Sequence, residues 1–430
     1  MLNKISSLKA LISPLTAFFA GTIFVSAAYG LLNSTLAINL TDAGVNTFYS
    51  GIILSMYYVG YIFATINSYK IINTAGHIRA FSAYVSILSA LVLMHSLYIN
   101  AWYWGILRLL EGYCMASAII CLESWLNTRA NNQNRGLIMS LYMITTYLGA
   151  ASGQLMLNIP DKYGFILFMV ISILYSVALV PISLTALPSP DISKHKQMSL
   201  WTLYKIAPVG VVGCIVSGIM VGGVYTLGTI YAQSSGLSLY NVSLFMFFAI
   251  TGGMLAQFPI GRLSDKFDRR FVMMWTCGGV FFILPWIHIF ISGTIVELIP
   301  SALLLGSGTF ILYPICVSHV NDKIADDERV EAAGLLLMLQ SLGMIIGPIA
   351  ISYIMQQFGS IFFLISLSSA SGFFVLFAFK HISFKHDVGY KNITPTDPMP
   401  ISPTHIYPEL AKNDTLIDKA KSLFIHKNDK

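Results

Sequence analysis

Apolar runs of about 20 residues, most of them free of Lys, Arg, Asp and Glu, alternate with short polar connections along most of the chain. Read by that pattern, spans fall at 14–38, 48–69, 79–98, 102–127, 136–158, 164–187, 205–232, 242–260, 271–291, 296–319, 332–356 and 360–380. Runs of this length predict helices, because a backbone facing lipid must satisfy its own hydrogen bonds. The short alternating stretches of a membrane β-barrel are absent. The expected fold class is an all-α integral membrane protein with twelve transmembrane helices.

Charge orients these spans. Of the 25 Lys and Arg, Lys162 falls in a connection on one side and Arg108 lies inside the fourth span. The other 23 sit at the N-terminus, in the even-numbered connections and in the C-terminal tail. That asymmetry predicts cytoplasmic termini. Lys4 and Lys9 precede an apolar run too long for a signal peptide, so the first span is read as uncleaved. Two polar stretches divide the rest: a linker near 188–204 and a Pro-rich tail after about 381, expected to be disordered. The domains expected are therefore 1–187, the linker 188–204, 205–380 and the tail 381–430. Within the tail, Leu416, Ile417, Ala420, Leu423 and Phe424 share one helical face, which suits either a transient helix or one lying on lipid.

The two groups of six spans repeat. Gly76 and Asp268 occupy matching connections 192 positions apart, and Gly149 and Gly153 match Gly343 and Gly347 at 194. Two pseudo-symmetric six-helix halves predict a solute carrier. Composition agrees: 56% of residues are hydrophobic and 10% charged, too apolar for a water-soluble shell. The net charge of +6 resides in the basic connections, and no aromatic-basic interleaving points to nucleic acid. Cys114, Cys121, Cys214, Cys277 and Cys316 all lie in spans and read as packing thiols. No metal-ligand cluster, nucleophile elbow or Gly-rich phosphate loop is present, so neither enzyme activity, ATP hydrolysis, a cofactor nor a metal is expected.

Several motifs narrow the reading. The eighth connection runs Gly261-Arg-Leu-Ser-Asp265-Lys-Phe-Asp-Arg269-Arg270, and the fourth span holds Arg108-Leu-Leu-Glu111-Gly112. With twelve spans, these resemble the major facilitator superfamily over about residues 10–380. Gly76–Phe81, Glu123–Asn127, Tyr313-Pro314 with His319–Asp322, and Gly343–Pro348 resemble more narrowly a subgroup of bacterial facilitators with mostly unassigned substrates. The resemblance implies a bacterial inner-membrane permease, monomeric, working by alternating access. It also implies that Asp265 latches the cytoplasmic side against the start of the fifth span near Arg135, with Gly261, Arg269 and Arg270 in the same gate. Asn73, Thr74 and Glu111 depart from the superfamily pattern, which has Asp, a basic residue and Gln there.

Candidate chemistry follows from buried polarity. Arg108 and Glu111 are i, i+3 neighbours on one helix face, and an Arg in hydrocarbon normally faces a cavity or a partner. Either Arg108 binds a polar or anionic group of cargo while Glu111 takes a proton, or the two form a permanent ion pair. Glu123, twelve residues on, points to a gate or helix contact and could relay protons. His319 could switch with pH or anchor the tenth span at the interface. His95 and His288 read as structural. Tyr57, Tyr61, Tyr147, Tyr225, Tyr313 and Gln340 are candidates for a polar-aromatic cavity, since a buried Tyr hydroxyl needs a partner. The function expected is secondary transport of a small polar or anionic solute, coupled to protons through Glu111, Glu123 or His319. An uncoupled facilitator or exporter, or a membrane binding protein that has lost transport, are the alternatives.

Overall fold

The computed structural model describes residues 15–98, 100–129, 135–184, 198–291, 295–325 and 328–381. Among them there is helix and no strand. The first half comprises α1 (Thr16–Asp42), α2 (Thr47–Ala75), α3 (His77–His95), α4 (Ala101–Arg129), α5 (Arg135–Leu155) and α6 (Ile166–Ser183). A short α7 (Leu200–Ile206) leads into α8 (Pro208–Ser234), α9 (Leu239–Lys266), α10 (Arg269–Ile291), α11 (Ile295–Thr309), α12 (Leu312–Asn321), α13 (Arg329–Phe358) and α14 (Phe362–His381). The linker expected at 188–204 thus ends in helix, and α7 packs on α8. The tail and the N-terminal lysines lie outside the described residues.

Eleven segments, with α11 and α12 taken as one, are long and apolar enough on their own to cross a membrane. The twelfth is α5, which is 21 residues long but carries Ser140, Thr145, Thr146, Ser152 and Gln154. It is held by protein on two sides, α1 and α9, so its polarity is not presented to lipid.

The repeat is visible in how the chain turns. Gly44 and Gly236, 192 positions apart, both adopt a left-handed φ, 71° and 82°. Each ends a helix where a side chain would be strained. Two residues later Asn46 and Ser238 cap α2 and α9, accepting from Tyr49 N at 2.9 Å and Asn241 N at 3.4 Å. The crossings repeat as well. A Cβ on Gly60 or Gly112 would strike the backbone of Leu109 or Tyr57, and one on Gly252 or Gly306 that of Leu303 or Ala249. Glycine lets α2 meet α4, and α9 meet α11, with backbones touching. Across the halves, α2 packs on α13 and α9 on α5, with α1 beside α8 between them.

Two expectations about helix ends change. The charged stretch from Gly261 is not a loop, because α9 continues to Lys266 and only Phe267 and Asp268 separate it from α10. The tenth span is broken at Phe310-Ile311. Pro314 is the cause: it has no N–H to give the Phe310 carbonyl four residues back, and its ring crowds that carbonyl. The ends of the bundle differ in charge, and we call them the basic end, with Lys70, Arg79, Arg262, Arg269 and Lys323, and the cation-poor end.

Candidate functional site

A cavity of about 150 Å³ lies between the halves. The first half supplies Thr22, Ser26 and Tyr29 from α1, Tyr57, Tyr58 and Tyr61 from α2, Met115 and Leu122 from α4, and Tyr142 and Thr146 from α5. The second half supplies Tyr225 from α8 and Leu337, Gln340, Ser341 and Met344 from α13. Tyr57, Tyr61, Tyr225 and Gln340 are thus brought together as the aromatic pattern anticipated. Tyr147 is not in this wall; its hydroxyl accepts from Gln257 Nε2 at 2.6 Å, and its ring meets Phe310 edge-on. Tyr313 is buried in α12 outside the lining. No Asp, Glu, Lys or Arg lines the cavity among the described residues.

On the cation-poor side of the cavity the halves are tied by side chains. Ser34 and Thr229 hydroxyls are 2.8 Å apart, and Gln233 Nε2 donates to Asp42 at 3.1 Å. Asn158 Nδ2 donates to Ser243 Oγ at 2.7 Å, and Thr47 N to Gln356 Oε1 at 2.9 Å. Asn158 with Ser243 is the repeat mate of Ser352 with Gly51, whose missing Cβ lets Ser352 approach. Two of the contacts at this end are thus related by the repeat.

Arg108 and Glu111 stand one layer behind the cavity wall. The guanidinium donates through Nη1 to Glu111 Oε2 at 3.0 Å and through Nη2 to Asn33 Oδ1 at 2.7 Å. It also stacks on the Tyr57 ring, 4.6 Å from its centroid. Glu111 Oε1 lies 3.3 Å from His95 Nδ1, which is also 3.1 Å from the Leu91 carbonyl. The His95 ring is stacked on Phe168 and edge-on to Trp104. All three ionisable groups are buried. The cavity wall meets this network through Tyr57, whose ring lies under the guanidinium, and through Tyr29, whose hydroxyl is hydrogen-bonded to Asn33. Arg108 itself is not in the lining.

The internal copy shows what the fold itself needs here. Gly112 and Gly306 occupy equivalent crossings 194 positions apart. The same offset places Ala302 opposite Arg108 and Leu305 opposite Glu111, and both are fully buried. The 192-position offset of α3 and α10 places Ile287, also buried, opposite His95, and the next residue, His288, pairs with the Tyr231 hydroxyl at 3.0 Å. The second half thus builds the same packing without ions.

The remaining candidates lie toward the basic end. Glu123 is buried in α4 and takes a hydrogen bond from the Tyr142 hydroxyl of the cavity wall. His319 is buried in α12 rather than solvated at an interface. It packs against α8 at Gly210, where a Cβ would lie 3.5 Å from its ring. Asp265 pairs with Arg269 of its own half at 3.2 Å, and Arg269 Nε donates to Asp322 at 2.6 Å. Gly261 is inside α9, its carbonyl accepting from Ser264. Arg270 chelates Asp268 at 2.8 Å. Partial burial would raise the Asp268 carboxyl, but the hydrogen bonds from Arg270 outweigh it and hold it below the usual carboxylate range. The Arg135 side chain lies outside the described residues.

Sequence reasoning missed Asn33, Tyr29 and Tyr142, and it left His95 without a partner. Tyr29 and Asn33 are i, i+4 on α1, on a span that also carries Thr22, Ser26 and Ser34, and this run of polar side chains within one membrane helix was the available signal.

The sequence profile described as Major Facilitator Superfamily matches residues 18–284 and 250–414. An uncharacterized MFS-type transporter, YcaD, of Escherichia fergusonii is 27% identical over 370 residues, covering 84% of this chain and 94% of its own. A similar protein of Enterobacter sp. strain 638 is 25% identical over 366 residues, with the same coverage. Among solved structures, the nucleoside transporter NupG superposes with a TM-score of 0.68 at 13% identity, over 85% of this chain and 98% of that one. A bacterial homolog of the human lysosomal transporter Spinster, inward-facing and occupied, gives 0.65 at 12% identity over 85% and 94%. At such identities these likenesses show the fold alone.

Proposed function

The chain belongs to the major facilitator superfamily, and from that membership we propose a secondary transporter that moves a small solute through the cavity between its halves by alternating access. One observation carries this reading: a polar-aromatic cavity between two repeated halves, tied shut across the cation-poor end by Ser34–Thr229 and Asn158–Ser243. Breaking those few bonds and rocking the halves would expose the same cavity to the other side. The positive-inside rule assigns the basic end to the cytoplasm, in the inner membrane of a bacterium. The described state is then closed to the outside.

We assign energy coupling to protons held by Glu111 and His95. Its support is the internal copy, in which the equivalent crossing needs no ionisable group. Glu123, one hydrogen bond from the cavity through Tyr142, is the route by which a proton could leave toward the basic end.

A double variant, Ser34→Cys with Thr229→Cys, tests alternating access. The two hydroxyls are 2.8 Å apart, and the five native cysteines are buried, so oxidation should join the halves at this point. An added cavity thiol, Ser341→Cys, should then react with a membrane-impermeant reagent from the basic side alone, and from both sides after reduction. Labelling of the oxidised protein from the cation-poor side would refute the reading.

A further inference from the structure

The wall of the cavity specifies more than a passage. Tyr29, Tyr57 and Tyr225 form a continuous aromatic surface, with centroids 5.4 Å and 5.7 Å apart. The hydroxyls of Tyr57, Tyr61 and Tyr225 have no hydrogen-bond partner among the described residues. On the opposite wall Gln340 is buried, and while its Nε2 donates to Ser217 at 3.5 Å, its Oε1 has no partner. A buried carbonyl oxygen left unpaired is costly, so a ligand that offers it an N–H or O–H gains doubly.

Charge is excluded by the same wall. A carboxylate in this space would be desolvated without an ion partner, because Arg108 lies behind Tyr57 and is already engaged by Glu111 and Asn33. A cation would meet tyrosine faces, which attract it, but one face of Tyr57 is already taken by Arg108 at 4.6 Å. No carboxylate among the described residues lines the space, Glu123 standing behind Tyr142, so a cation too finds no ion partner in contact. Size sets the last limit, since a cavity of about 150 Å³ holds one benzene-sized ring.

We propose that the cargo is an uncharged, single-ring aromatic or heteroaromatic compound. It bears an N–H or O–H for Gln340 Oε1 and an acceptor for the tyrosine hydroxyls, as a primary aromatic amide does. This rests on the transport reading and names the substrate class of that same cavity.

Four probes with one ring and similar size separate the claims: benzamide, benzoate, benzylammonium and N,N-dimethylbenzamide. Binding to the full-length protein in detergent is measured by ligand-detected NMR at neutral pH, for the parent and for Gln340→Leu and Tyr225→Phe. Benzamide should bind most tightly, about tenfold weaker in Gln340→Leu, and weaker also in Tyr225→Phe, which keeps the ring. Three results would each overturn the proposal: a charged probe or the dimethylamide binding as well as benzamide, benzamide indifferent to both variants, or none of the four binding. The cross-linking experiment stands or falls independently, so a wrong substrate class is distinguishable from a protein that does not transport.

Discussion

Arg108, Glu111 and His95 pose one question at the scale of residues: why bury three ionisable side chains where the repeat copy uses Ala302, Leu305 and Ile287? Removing one ion alone leaves the other uncompensated, so Arg108→Ala should cost about 3–5 kcal/mol of stability. Copying the second half, with Arg108→Ala and Glu111→Leu together, removes both charges and should restore thermal stability to near the parent. The same double variant should lose any pH dependence of solute exchange in proteoliposomes. If it is as unstable as Arg108→Ala alone, the pair serves the fold and the coupling assignment fails. The partners that decide this, Asn33 from α1 and His95 from α3, come from other helices. The i, i+3 spacing in the sequence announced the ion pair but could not say what it faced.

At the scale of elements, the glycine crossings set how closely the spans approach. Gly112→Ala should drive a methyl group into the Tyr57 carbonyl, forcing α2 away from α4. A loss of about 1–3 kcal/mol is expected from such overpacking, with a shift of Tyr57 in the cavity wall. Gly306→Ala should cost a similar amount at the repeat crossing while leaving Tyr57 in place. Thermal unfolding of both variants, with benzamide binding as the second readout, distinguishes them. Spans, charge asymmetry and repeat period were legible in the sequence because lipid imposes length and polarity on each helix by itself. The break at Phe310 followed from Pro314 but lay hidden in a continuous apolar run. Helix continuation through Gly261–Lys266 was masked by charge, since basic residues at a helix end look like a loop when only hydropathy is read. Tyr147 and Tyr313 carry the same chemistry as Tyr57 and Tyr225, and only packing decided which rings reached the cavity.

For the whole molecule, the claim is that two rigid halves exchange one closed end for the other. Two of the cation-poor contacts, Asn158–Ser243 and Gly51–Ser352, are related by the repeat, so the proposed rocking would turn about an axis that both halves share. The most direct measurement is of paired spin-label distances at both ends, on one protein, with and without a transported solute. Ala43→Cys with Gln357→Cys reports the cation-poor end, and Thr74→Cys with Lys266→Cys the basic end; all four positions are exposed and each pair spans the two halves. Alternating access predicts that solute moves the two distances in opposite directions, one lengthening as the other shortens. Distances that stay fixed, or that lengthen and shorten together, would contradict it.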